Sequence, residues 1–100
     1  MISLSDLHDA TLKTVEFGWE AAVIRLMLKI GPAPSDLAVL EAHGVTSLVC
    51  PRLCPWGPSS SVNAATIEAL ADGKLLTVEM QSGDVLEVRC VEVSVERGAR

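Results

Sequence analysis

The chain has 100 residues, 49% of them hydrophobic but only 3% aromatic, with one Phe, no Tyr and a formal net charge of −5. That length supports a single domain, residues 1–100, with one modest core, and the scarcity of aromatics means a core of Val, Leu, Ile and Ala. The acidic balance (pI about 4.8) and the scattering of the eight Lys and Arg residues leave no basic stripe to track phosphates, so nucleic acid is not an expected partner.

The N-terminus carries Ser3, Asp6, His8 and Asp9 before its first basic residue, Lys13, which is not the charge pattern of a signal peptide. The most apolar run, from Ala21 to Ile30, is interrupted by Arg25 and Lys29 and is too short to span a bilayer. With three cysteines and no export signal, reduced thiols and a cytoplasmic location are expected, with no membrane association. The mean hydropathy of +0.37 is high for a small domain. It points to apolar surface buried against another subunit, hence a protein partner or self-association as a homo-oligomer.

In chain order, Leu7-His8-Asp9-Ala10 reads as a turn or a single helical turn, capped by Ser5 or Asp6, with Asp9 bonding local amides. Residues 12–18 and 22–30 then alternate with period two. A four-residue loop from Trp19 to Ala22 pairs Gly18 with Val23, Phe17 with Ile24 and Val15 with Leu26, and places their apolar side chains on one face. Gly31-Pro32-Ala33-Pro34 is a linker. Residues 35–43 fit a strand turning at His43-Gly44, with Val39 opposite Leu48 and Leu37 opposite Cys50; a short helix capped by Ser35 is the alternative. Residues 45–50 are β-prone. The alanines at 64, 65, 69 and 71 suit a short helix over 63–71 on propensity alone, whereas Val62, Thr66 and Ile67 suit a strand.

The C-terminal hairpin can be read to the residue. A three-residue loop, Gln81-Ser82-Gly83, with Gly83 left-handed, pairs Val78 with Leu86, Leu76 with Val88 and Thr77 with Glu87. It also avoids a Glu79–Glu87 clash. Past Cys90 the apolar residues change phase, from Leu86 and Val88 to Val91, Val93 and Val95. A bulge or sharp bend near Cys90-Val91 would let one long strand turn a corner or serve two sheets; a strand buried on both faces is the alternative.

Residues 50–61 stand apart, holding three of the five prolines, two of the three cysteines and one of the two tryptophans. The prolines exclude a regular helix or central strand and make a stiff loop. Trp56 in that loop is either a plug over the core or an anchor on a binding surface. Cys54, with Arg52 nearby, is the only loop thiol open to a nucleophilic role, while Cys50 and Cys90 read as small buried hydrophobes. No cysteine and histidine pair has metal-ligand spacing, and neither a phosphate loop nor a nucleophile elbow is present. Trp56, Arg52, Cys54 and Trp19 are therefore the candidate binding residues, with no catalytic residue, no metal ligand and no cofactor assigned.

The segments Leu7-His8-Asp9-Ala10-Thr11-Leu12, the Trp19 turn, Pro55-Trp56-Gly57-Pro58-Ser59 and Glu79-Met80-Gln81-Ser82-Gly83-Asp84 resemble a group of small uncharacterised bacterial β-rich proteins. In outline the chain is similar to immunity proteins of polymorphic toxin systems. The resemblance covers most of the chain and implies a bacterial cytoplasmic β protein, a strand at 62–70 and, from its looser part, an immunity-like role. It carries over no catalytic residue.

Pattern and resemblance together predict a mainly β fold: a curved antiparallel sheet or small barrel of about six or seven strands. A short N-terminal helical turn covers one opening and the 50–61 loop another. The alternative is an α+β fold with short helices at 35–43 and 63–71. The expected function is a non-catalytic protein-interaction or binding domain. A small-ligand-binding domain is the first alternative, and a Cys-dependent enzyme or metal protein the second.

Overall fold

The structure, a computed structural model, describes residues 4–53 and 61–97. Among these the chain forms eight strands: β1 (Thr11–Gly18), β2 (Val23–Lys29), β3 (Leu37–His43), β4 (Ser47–Val49), β5 (Val62–Leu70), β6 (Gly73–Met80), β7 (Val85–Cys90) and β8 (Glu92–Arg97). They make two four-stranded sheets, in the orders β1–β2–β3–β8 and β4–β7–β6–β5. Every neighbouring pair is antiparallel.

This corrects the expectation of one curved sheet or small barrel of six to seven strands. The additional strand comes from the phase change at Cys90-Val91. The run from Val85 to Arg97 breaks at Val91, so β7 lies in one sheet and β8 in the other. The chain makes a second switch between β3 and β4. The two switches cross at one corner, where the Val91 amide donates to the His43 carbonyl and the Thr46 amide donates to the Arg89 carbonyl, both at 2.9 Å. Gly44 sits there with φ +69°, and a Cβ on it would lie 2.7 Å from Val91 Cγ2. Only a residue without a side chain allows both the left-handed backbone and this close approach. Two sheets joined by strand switches keep open edges, so no barrel closes.

The two predicted hairpin registers are observed: Phe17 with Ile24, Gly18 with Val23 and Val15 with Leu26 in the first, and Leu76 with Val88, Thr77 with Glu87 and Val78 with Leu86 in the second. Gly83 has φ +101°. The pairing predicted for residues 35–50 is not observed. Residues 37–43 do form a strand, but Val39 lies opposite Met27, and Leu48 lies opposite Val88. A hairpin between β3 and β4 would keep both in one sheet, and Gly44 instead turns the chain across to the other.

The alternative helices at 35–43 and 63–71 are absent, since both segments are strands. An alanine gains at most about 0.7 kcal/mol over an ordinary residue in a helix. A strand at 62–70 instead gains a ladder along β6 and buries Val62 completely, worth about 1.5–3 kcal/mol. The expected N-terminal helical turn is a 3₁₀ turn, Leu4–Leu7. It packs on β5 and places Leu7 wholly inside the core.

The core lies between the sheets. Ile24, Leu26, Leu28 and Leu40 contribute from one side, Leu76, Val78, Leu86 and Val88 from the other, each no more than 3% exposed. No aromatic belongs to it among the described residues, in keeping with a mostly aliphatic composition.

Candidate interaction surface

Strand β1 alternates like its partner β2, yet its apolar side chains are poorly covered. Val15 and Phe17 lie opposite Leu26 and Ile24, which are fully buried, but are themselves 37% and 41% exposed. The cause is position. β1 is the outer strand of its sheet, and β4, at the outer edge of the other sheet, has only three residues. A groove of about 350 Å³ opens between Phe17 and Trp19 on one side and Val45, Thr46 and Leu48 on the other.

Trp19 stands at the tip of the β1–β2 hairpin and is 83% exposed. Its ring meets Phe17 edge to face, with centroids 5.8 Å apart and planes at 68°, a favoured aromatic geometry. The loop beneath is fixed by Ala22, which takes φ +56°. The Ala22 carbonyl accepts the Val45 amide at 2.9 Å, tying the tip to the strand-switch corner. Glu16 and Glu20, both exposed, flank the aromatic pair in sequence.

A second depression, of about 390 Å³, opens beside the first half of β1. Leu12, Val15 and Leu86 give it apolar walls, and Lys13 and Arg52 bring two cations to it. The Asp84 carboxylate accepts the Leu53 amide at 3.1 Å and so ties the start of the 50–61 loop to the β6–β7 turn.

Of the four candidate binding residues, Trp19 and Arg52 are both exposed but line different depressions. Cys54 and Trp56 lie outside the described residues. Composition missed Val15 and Phe17, which read as core because their alternation matches that of β2. Val49 and Leu53 are exposed hydrophobics of the same kind.

The cysteines divide. Cys90 is buried as expected, its thiol 3.8 Å from the Lys74 carbonyl, and burial raises its pKa. Cys50 is exposed rather than buried, because its strand ends at the mouth of the second depression. Partial desolvation there raises its pKa as well, which disfavours the thiolate a nucleophile needs. His8 donates from Nδ1 to the Asn63 carbonyl at 2.6 Å. His43 donates from Nε2 to Glu41 at 3.0 Å. No hydrogen bond joins a cysteine to a histidine among the described residues. Among the described residues Asp9 bonds no local amide: it takes φ +68°, accepts from the Gln81 side chain and gives its own amide to the Val62 carbonyl at 2.8 Å. Those contacts clamp the N-terminal turn to the second sheet.

Arg25 and Glu41 are cross-strand neighbours joined by Nε–Oε2 and Nη2–Oε2 contacts of 2.7 and 2.6 Å. The Arg25 hydrogen bond, assisted by His43, holds the Glu41 carboxyl below its ordinary range. No family model matches this chain, and no curated protein matches it significantly.

Proposed function

We propose that this chain is a non-catalytic protein-interaction domain that recognises its partner with the Trp19–Phe17 ledge and the groove behind it. One observation carries the reading: the two aromatics that a core so short of aromatics could most use are held together at the surface, on a fixed hairpin tip. Trp is enriched among residues that dominate interface energetics, and an exposed aromatic pair stabilises the free monomer little. The partner this surface fits is a protein presenting an apolar side chain flanked by Lys or Arg. Glu16, Glu20 and the net charge of −5 would attract it and oppose nucleic acid. The resemblance to immunity proteins supports the same class, an immunity-like role in a bacterial cytoplasm.

Capture from a bacterial lysate, with the partner then purified and its affinity measured, tests the reading. Trp19→Ala weakens that affinity about 30-fold or more, a loss typical of a hot-spot residue, while circular dichroism stays unchanged. Identical partners and affinities for wild type and variant would overturn it.

A second reading, small-ligand binding, is supported by the depression between Lys13 and Arg52 with its apolar walls. The two cations suit an apolar anion, the Asp84 carboxylate of the same lining being engaged by the Leu53 amide. A decanoate titration followed by amide chemical shifts separates the readings: saturable shifts confined to Leu12, Val15 and Leu86 favour the ligand.

A further inference from the structure

Four strands have an outer edge: β1 and β8 in one sheet, β4 and β5 in the other. Three of these edges are guarded. β1 has a register shift between Leu12 and Thr14, where Lys13 is inserted. β4 has three residues. β8 presents the exposed carboxylates Glu92 and Glu96, the first held by Lys74 at 2.6 Å. A bulge, a short strand and edge charges are the devices by which sheet proteins prevent edge-to-edge pairing.

β5 lacks them over most of its length. It has nine residues with one charge, Glu68, and neither Lys nor Pro. Its own irregularity, between Val62 and Ala64, lies at the end already covered by the N-terminal turn. There the Asp9 amide donates to the Val62 carbonyl, and the Val62 amide donates to the Ala10 carbonyl. From Ala65 to Leu70 no backbone group among the described residues pairs with the outer edge. Leu70 and Gly73 close the hairpin to β6. Alternation from that closing pair turns the backbone groups of Leu70, Glu68 and Thr66 toward β6 and those of Ala69, Ile67 and Ala65 outward.

We propose that this edge pairs with the same edge of a second copy of the chain, antiparallel about a two-fold axis at Ile67, making one continuous sheet across both copies. In that register Ile67 faces its own copy, Ala65 faces Ala69 and Thr66 faces Glu68, so every outward backbone group finds a partner and no two carboxylates stand opposite. The small side chains at 65 and 69 let the strands meet without steric conflict. Half-buried Ile67 gains cover, in line with the high mean hydropathy. A segment this short buries less than the roughly 800 Å² per partner of a standard interface, so the dimer is weak and dependent on concentration. The proposal does not use the Trp19 ledge, which it leaves free on both copies.

Sedimentation equilibrium from about 5 to 500 µM, a range chosen to bracket weak interfaces, tests it on the full chain. Wild type is expected to move from monomer to dimer, with no larger species. Ala69→Pro removes an outward-facing amide, so it abolishes the dimer. Where that variant fails to fold, two exposed substitutions decide instead. Thr66→Glu places carboxylates opposite Glu68 of the other copy and weakens association about tenfold. Thr66→Lys strengthens it about threefold to tenfold, because the two-fold axis counts each cross-strand pair twice. Trp19→Ala leaves association unchanged. A wild type that stays monomeric, that grows beyond a dimer, or whose association responds to Trp19→Ala and ignores Thr66 would overturn the proposal.

Discussion

Two of the hairpins, β1–β2 and β6–β7, are built by the same rule and meet different fates. Both have strict alternation, a register set by loop length and one apolar face. In β6–β7 both strands are interior to their sheet, and Leu76, Val78, Leu86 and Val88 are at most 3% exposed. In β1–β2 only β2 is interior; its inward residues Ile24, Leu26 and Leu28 are buried, while Val15, Phe17 and Trp19 on or beside β1 remain open to solvent. Alternation thus identifies which side chains face inward. Whether anything lies opposite them is decided by the strand order of both sheets. A face left uncovered beside a three-residue strand is available for recognition without loss of core.

The strongest test of that difference is truncation on each hairpin. Leu76→Ala is expected to cost about 2–5 kcal/mol, as other fully buried leucines do, and Val15→Ala under about 1 kcal/mol. Urea melts measure both, and equal losses would erase the distinction. Next is the corner that separates the hairpins into two sheets. Gly44→Ala forces a side chain into left-handed backbone and against Val91. A loss of about 1–3 kcal/mol by thermal unfolding is expected, whereas a neutral result would mean the crossing is loose.

A smaller effect, of opposite sign, is expected at the tip of β1–β2. Ala22→Gly relieves a positive φ and should stabilise by about 0.5–1 kcal/mol, the αL penalty less the added chain entropy of glycine. The same variant tests the rigidity of the ledge, because tightening or loosening of partner binding would report on how firmly Ala22 sets Trp19. The smallest effect is electrostatic. The folded pKa of Glu41 lies below its ordinary 4.5, chiefly through Arg25. Its stabilisation is therefore complete above 4.5 and lost as pH falls through the lowered folded value. Glu41→Gln should flatten the acid limb of the stability–pH curve. An unchanged limb would show the pair to be as weak as exposed pairs commonly are.

The hairpins were legible because their information is local. Gly83 in a three-residue loop admits one pairing that keeps Val78 and Leu86 on the same face. Four residues from Trp19 to Ala22 do the same for Phe17 and Ile24. The change of phase at Cys90-Val91 was also readable as a device serving two sheets, since a period of two cannot slip without moving every side chain to the other face. The site was only partly legible. Trp19 stood out as an aromatic at a turn, but Phe17 and Val15 carry no local mark of exposure, and the same pattern on β2 is core.

The sequence by itself determined the β character of the chain, the apolar faces, the registers of the β1–β2 and β6–β7 hairpins and a core built mostly of aliphatic side chains. All of these follow from side-chain volume, turn geometry and alternation within about a dozen residues. Only the tertiary structure decided that β3 joins β2 and β8 rather than β4, that the alanine-rich segment at 62–70 is a strand, and that β1 is an edge. Those outcomes depend on contacts between residues far apart in the chain, where Gly44 meets Val91 and Asp9 meets Val62 and Gln81. No local propensity encodes which of several apolar faces will be covered.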